Sequence, residues 1–366
     1  MLKIYLRELL INPLNNIFIC LGLVISIYCL SIGTSFFYVQ FNFYDDINNF
    51  WRENLSIQLE FKQDTNLEYI INKIDKLETK SGIVSPEYHI YLGERVYSLT
   101  GIYKYGNLNK VYPVIEGRYL TKEETKGNKK VALVGSNIKD LTYIKNNIRY
   151  MDIQGESFKV VGIIGRDTMS YWGTHVIVPM KSLPKETYRA KSKVIELCYY
   201  KNMLNEKGYF NDLKKQLNEK EVINVNLVNK KPSNIFTKVY DKDKPTYISL
   251  GFSIALSLVT ILIFSTFWAN DLKRNIVIKR ILGASNFDII KMLFFQISIV
   301  MSIAIIISVA LNTLTLKLLE TIFLTSVKIN ILNILIISIF ALIIIILNLF
   351  WIYRNIFKFK ISEDIK

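Results

Sequence analysis

Four long stretches free of Asp, Glu, Lys and Arg dominate this chain, at residues 17–39, 247–269, 292–316 and 329–353. At 1.5 Å per residue, a helix of such a length reaches ~35 Å, enough for a hydrocarbon core of roughly 30 Å. A charged side chain within lipid is costly, so uninterrupted apolar runs are read as transmembrane helices. The expected fold class is membrane α-helical with four transmembrane helices. A large α+β extracytoplasmic domain, residues 40–246, is inserted between helices 1 and 2.

The first run follows Lys3 and Arg7, as a secretory signal would. It is longer than a usual signal core, and no small-residue cleavage site follows, so a retained anchor is expected. Asn312, Asn330, Asn333 and Asn348 are compatible with run ends or helix contacts. Tyr38, Tyr44, Trp268, Trp351 and Tyr353 lie at borders, where amphipathic rings prefer headgroup depth.

Basic residues set the sidedness. Lys3 and Arg7 lie in an amphipathic segment, residues 1–16. Lys273, Arg274, Lys279, Arg280 and Lys291 lie in loop 270–291, and Arg354, Lys358, Lys360 and Lys366 in tail 354–366. These three segments are expected in the cytosol, with both termini there. Residues 40–246 and the short loop 317–328 are then outside.

The formal charge of +15 does not indicate nucleic acid as a partner. Residues 40–246 hold 33 basic and 25 acidic residues without a compact basic stripe, zinc-finger spacing or aromatic platform. Attraction to anionic lipid accounts for the basic excess beside the runs. Of three cysteines, Cys20 and Cys29 fall inside the first run and only Cys198 in the outer region, which therefore has no internal disulfide.

The outer region reads as mixed α and β. Strands are expected at 55–61, 88–92, 96–105, 131–135, 158–164, 176–180, 194–200 and 222–228, and helices at 67–77 and 209–217. Turns are expected at Gly93-Glu94, Gly106-Asn107 and 127–130. Gly135-Ser136-Asn137 follows a strand, yet no Gly-rich run with a Lys-Ser/Thr pair accompanies it, so it reads as a turn rather than a phosphate site.

The residues of catalysis are missing. His89 and His175 stand without metal-spaced neighbours, and no nucleophile elbow or HExxH motif occurs. Asp241-Lys242-Asp243-Lys244 lacks the remaining ligands of a calcium loop and reads as a solvated juxtamembrane turn. No cofactor or metal site is expected in this chain.

The loop between the second and third runs has a coherent local logic. Leu272, Ile276 and Lys279 share one helix side with Gly283, whereas Arg274, Ile278 and Ile281 share another. Gly283 suits a left-handed C-cap, and Lys279 and Arg280 suit the negative end of the helix dipole. Ser285-Asn286-Phe287-Asp288 matches a capping box that opens the next helix. A basic interfacial helix that only anchors the loop is the plainer alternative.

This loop resembles that of the FtsX/MacB-like permeases of ABC transporters, the mechanotransmission type. Their approximate pattern Arg-Glu-Ile-x-x-x-Arg-x-x-Gly-Ala-Ser appears as Arg274, Asn275, Ile276, Arg280, Gly283, Ala284 and Ser285, with Asn275 replacing the acidic residue. Glu116-Gly117-Arg118-Tyr119-Leu120, then 131–135 and 158–163, resemble the family's MacB-like periplasmic core domain. The order of one span, a large domain and three spans is also the family's.

The resemblance implies a non-catalytic permease subunit that pairs with a second copy or a sister permease. A separate ABC ATPase, carrying ATP and Mg, would dock on the helix and corner formed by Leu272, Arg274, Asn275, Ile276, Lys279, Arg280, Gly283 and Ser285. The implied function is export or extraction of an antimicrobial peptide, drug or lipoprotein. The alternative is a transmembrane signaller that senses a peptide or activates a cell-wall hydrolase without transport. A membrane-anchored scaffold is a third reading, and it predicts no ATPase contact.

Overall fold

A computed structural model of the 366-residue chain describes residues 13–75, 82–92, 95–105, 108–166, 170–200, 215, 217, 222–228, 232–323 and 331–357. The turns expected at Gly93-Glu94 and Gly106-Asn107, residues 1–12 of the amphipathic segment and most of the helix expected at 209–217 lie outside the described residues. So do residues 324–328 of the expected outer loop, Asn330, and tail residues 358–366. Contacts divide the chain into two units, Met1–Tyr38 with Tyr240–Lys366, and Val39–Val239.

The first unit is helical. Helix α1 (Pro13–Glu53) begins in it and ends in the other unit. The other helices of this unit are α6 (Lys244–Ile281), α7 (Asn286–Phe323) and α8 (Ile331–Phe357). Among the described residues, three stretches are long and apolar enough to cross a membrane: Ile17–Glu53, Asn286–Thr315 and Ile331–Phe350. The chain is thus a multi-pass membrane α-helical protein with an α+β domain between the first and later helices.

Apolar side chains at helical spacing meet in this unit. Ile19, Leu23 and Ile27 of α1 join Ile289, Leu293, Ile297 and Met301 of α7 and Ile337, Ala341 and Ile344 of α8 in one buried cluster. Lipid supplies little hydrophobic drive between helices, so packing and polar contacts matter more there. Asn312 Nδ2 donates to Ser31 Oγ at 2.6 Å, and Ser308 Oγ donates to the Val24 carbonyl at 3.0 Å. Asn333 Nδ2 donates to Ser35 Oγ. Asn312→Ala is expected to destabilise the helix bundle by about 1 kcal/mol. A double-mutant cycle with Ser31→Ala in detergent unfolding reads the pair directly, and a coupling energy near zero would remove it from the account.

Several elements run longer than the sequence pattern predicts. Apolar periodicity marks only the lipid-compatible part of α1, whose polar last turns to Glu53 continue as helix because nothing breaks them. Likewise α6 passes through the expected loop to Ile281, and α7 starts at Asn286, so only residues 282–285 turn. Asp243 forms a break between helix α5 (Ile235–Lys242) and α6, and Lys244 Nζ lies 2.8 Å from Asp241 Oδ1.

The second unit is built on a twelve-stranded sheet among the described residues. In chain order its elements are β1 (Asn54–Thr65), α2 (Leu67–Asp75), β2 (Ile83–Val84), β3 (Tyr88–Leu92), β4 (Arg95–Tyr103), β5 (Val114–Gly117) and α3 (Lys122–Lys126). There follow β6 (Val131–Gly135), β7 (Tyr143–Lys145), β8 (Ile148–Ile153), β9 (Glu156–Ile164), β10 (His175–Pro179), α4 (Lys185–Tyr188), β11 (Ser192–Tyr200) and β12 (Val222–Val228). The strand order is β12-β1-β11-β2-β4-β10-β6-β9-β8-β7, with β3 added to β4 and β5 to β9. Most pairs are antiparallel; β4 with β10 and β6 with β9 are parallel.

Alternation along the strands gives the sheet two buried faces. Ile57, Leu59, Leu99, Leu197 and Val176 face one core, where Leu67, Ile70, Ile71 and Ile74 of α2 pack. Val84, Ile102, Leu133, Ile177 and Cys198 face the other, covered by Phe50, Tyr112 and Trp172. Gly135 leads into a 3-10 helix, Ser136–Leu141, as a strand-ending turn rather than a phosphate cradle.

The segment from Glu116 to Glu124 is locked from both ends. Gly117 has φ +79, and a Cβ there would collide with the Val161 carbonyl. Thr121 and Glu124 form a capping box on α3, and the Arg118 guanidinium grips Glu124 with two bonds of 2.9 Å. That grip outweighs burial and holds the Glu124 carboxyl down to about 2.

The last turns of α1 within this unit are pinned by polar contacts. Arg166, in the loop after β9, reaches Asp46 Oδ1 at 2.7 Å, Asp45 Oδ2 at 3.0 Å and Asn42 Oδ1 at 3.3 Å. Ser170 Oγ donates to the other Asp46 oxygen at 2.6 Å. Asn48 donates to the Ser233 carbonyl at 2.7 Å and accepts from the Ser233 N–H at 3.2 Å.

Candidate functional site

The corner between α6 and α7 is the part of the helical unit that the sequence singled out. Helix α6 ends in two interlocked bonds: the Ala284 N–H donates to the Lys279 carbonyl and the Gly283 N–H to the Arg280 carbonyl, each at 3.0 Å. These form a Schellman motif, and its left-handed residue is Gly283 at φ +93. Among the described residues, and apart from its chain neighbours, no heavy atom lies within 4 Å of a Cβ built on Gly283, so glycine serves backbone conformation there, not space.

Helix α7 then opens with a reciprocal cap. Ser285 Oγ accepts from the Asp288 N–H at 3.2 Å, while Asp288 Oδ2 accepts from the Ser285 N–H at 3.1 Å. Side chains cross the corner as well. Arg280 Nη2 donates to Asn286 Oδ1 at 3.1 Å, and Lys279 Nζ lies 2.8 Å from Met292 Sδ. Carbonyls at the end of one helix and amides at the start of the next are thus met by local partners, which makes a stiff connection.

Of the eight residues expected to form the coupling site, Ile276 is buried in the apolar cluster with Ile289 and Met292. Lys279, Arg280, Gly283 and Ser285 come together at the corner. The side chains of Leu272, Arg274 and Asn275 lie outside the described residues. Sequence reasoning missed Asn286 and Met292 as partners of the two basic residues, because no periodicity signals a contact across a turn. It also missed an exposed apolar patch: Ile278 is 47%, Ile281 72%, Leu282 80% and Phe287 72% exposed. No group of three or more His, Cys, Asp or Glu side chains suited to a metal occurs among the described residues.

Several apolar helices, an inserted α+β domain and a capped corner define a membrane permease with an extramembrane working domain. The MacB-like periplasmic core domain family matches residues 16–203, and the FtsX-like permease C-terminal family matches residues 247–361. The chain belongs to the FtsX/MacB-like permeases of ABC transporters. Its function is the general one of such permeases, coupling the membrane part to an extracytoplasmic core domain, and such subunits are non-catalytic. Family membership implies an ABC ATPase partner and a dimeric permease arrangement.

Solved structures were also compared. The periplasmic region of MacB from Actinobacillus actinomycetemcomitans is 15% identical, with a TM-score of 0.33, covering 54% of this chain and 95% of that one. The extracellular domain of the noncanonic ABC-type transporter YknZ from Gram-positive bacteria is 14% identical, with a TM-score of 0.33, covering 48% and 100%. A domain of a putative permease from Porphyromonas gingivalis is 9% identical, with a TM-score of 0.28, covering 51% and 91%. No curated protein matches. The family assignment rests on the two sequence matches.

Proposed function

We propose that this chain is the permease subunit of a bacterial inner-membrane exporter or extractor, driven by ATP hydrolysis in a separate subunit. Four spans, 17–39, 247–269, 292–316 and 329–353, hold the termini, residues 270–291 and tail 354–366 in the cytosol. Residues 40–246 and 317–328 lie outside. The ATPase, with its ATP and Mg, docks on the corner around Leu272, Arg274, Asn275, Ile276, Lys279, Arg280, Gly283 and Ser285. A second copy or a sister permease completes the assembly, and the cargo is an antimicrobial peptide, drug or lipoprotein handled at the outer domain.

One observation carries this reading: a stiff, capped corner presents Ile278, Ile281, Leu282 and Phe287 to its surroundings. An apolar patch rimmed by Lys279 and Arg280 is costly in water and suits a protein partner. Because α6 is one uninterrupted helix of 38 residues, a push at its C-terminal end is delivered along its whole length.

Accessibility labelling tests the arrangement. In a cysteine-free background, Leu282→Cys is expected to react with an impermeant maleimide only after cells are permeabilised, and Glu123→Cys without permeabilisation. Labelling of both from the same side would remove the physical link between ATPase and outer domain. Affinity capture of the solubilised protein is expected to bring an ABC ATPase with it, and Leu282→Asp to release that ATPase.

A further inference from the structure

Among the described residues, the sheet of the outer unit ends on β12 at one side and on β7 at the other. An edge strand carries a row of unpaired N–H and C=O groups, and native proteins blunt such edges with shortness, lysine, proline or a bulge. Strand β7 is three residues long and includes Lys145. Strand β12 is different. Its seven residues, Val-Ile-Asn-Val-Asn-Leu-Val, include no charge, no proline and no glycine. Its one defence is a slip of register with β1 at Ile223, between the pairs Phe61–Val222 and Glu60–Asn224. From Asn224 to Val228 the pairing with β1 is unbroken.

The side chains along this edge are not those of a strand that faces only water. Val222 and Val225 pack against the core that holds α2, yet Ile223 is 56% and Leu227 46% exposed. Asn224 and Asn226 are exposed and uncharged. The order of the residues is close to a palindrome about Val225. Laid antiparallel against itself with a twofold axis at Val225, the strand sets Val225 opposite Val225, Ile223 opposite Leu227, Asn224 opposite Asn226 and Val222 opposite Val228. Each cross-strand pair then joins like to like, apolar with apolar and amide with amide, and no charge opposes its own sign. A twofold contact requires this self-complementarity, because the same patch serves both sides. A strand that receives a foreign peptide has no such requirement.

We propose that β12 pairs edge to edge, antiparallel, with β12 of a second copy of this chain, so that one sheet runs through both outer units. Main-chain hydrogen bonds supply the attraction, and the like-with-like side chains fix the register. Seven residues make a small interface, and two chains confined to one membrane meet there at high effective concentration. The pairing deepens the permease reading by choosing a second copy over a sister permease, and it rests on that reading only for the dimer.

Disulfide trapping of the full chain in native membranes, in a cysteine-free background with copper-phenanthroline as oxidant, tests the contact. Directly opposed residues of antiparallel strands lie about 4.5–5.5 Å apart at Cα, within disulfide reach. Val225→Cys, on the twofold axis, is expected to give a covalent homodimer about tenfold faster than Ile144→Cys, which is exposed but lies on β7. Ile223→Cys combined with Leu227→Cys, set opposite each other by the same axis, serves if Val225→Cys unfolds. Adding Asn224→Lys and Asn226→Lys to Val225→Cys brings like charges face to face and should slow trapping about tenfold. Adding Asn224→Lys and Asn226→Asp instead opposes unlike charges and should preserve it. Equal trapping at Val225 and Ile144 overturns the proposal. So does equal trapping in the two charge variants, since a contact elsewhere would not read the sign at residues 224 and 226. ATPase capture is followed in the same membranes. Its retention without trapping at β12 removes this contact and leaves the permease reading standing.

Discussion

Gly283→Val is expected to uncouple ATP hydrolysis from movement of the outer domain by about tenfold or more, with the membrane helices still folded. The reason is local. Gly283 sits at φ +93, where an L-residue pays about 1–2 kcal/mol and a β-branched one more. The space around it is open, so the variant has no clash to relieve and the strain falls on the backbone. Relaxing it means giving up the bonds from Ala284 to Lys279 and from Gly283 to Arg280, and with them the fixed angle between α6 and α7. Gly283→Asn, which tolerates the left-handed region, should keep most of the coupling. The measurement is ATP-dependent distance change between two labels in the outer domain, set against ATPase rate in the reconstituted complex. Equal coupling in the valine and wild-type proteins would show that the corner angle is not used.

Asp46→Ala should lower the unfolding free energy of the outer unit by about 3 kcal/mol, at the modest end for breaking a buried ion pair. The Asp46 side chain is only 2% exposed, whereas Arg166 is 31% exposed and keeps Asp45 at 3.0 Å. The loss also strands the Ser170 hydroxyl, which donates to Asp46. In a unit of about 200 residues this corresponds to a melting temperature lower by roughly 6–12 °C. Asp45→Ala, removing a more exposed partner, should cost about 1 kcal/mol or less. Comparable shifts for the two variants in thermal unfolding would mean that burial does not set the weight of this network.

The pattern of the sequence made the apolar runs and most long strands legible, because each rests on a simple period. Val131–Gly135 and Val222–Val228 are apolar or alternating segments bounded by charge and turn residues, and both form strands with the expected limits. The strand Ile83–Val84 was not legible: two residues carry no periodicity, and they are fixed by pairing with Tyr199 and Ile102 from far along the chain. Tyr143–Lys145 and Ile148–Ile153 form a hairpin through Asn146 and Asn147, both at positive φ. Asparagine tolerates that region, and the Asn-Asn pair was the available signal. At the corner, Gly283 and Ser285 announce themselves through cap chemistry, whereas the contacts from Arg280 to Asn286 and from Lys279 to Met292 cross a turn and follow no sequence period.

The polar contacts of the helical unit carry a mechanical meaning. Val24, Ser31 and Ser35 lie along one stripe of α1 and engage Ser308 and Asn312 of α7 and Asn333 of α8. Sliding α1 along its axis by one turn, about 5.4 Å, would strand amides in a medium that offers no substitute partner. Tilting about the row leaves the pairs joined. The bundle is therefore keyed against piston strokes of α1, whereas a rocking motion about the Asn–Ser row would keep its pairs joined.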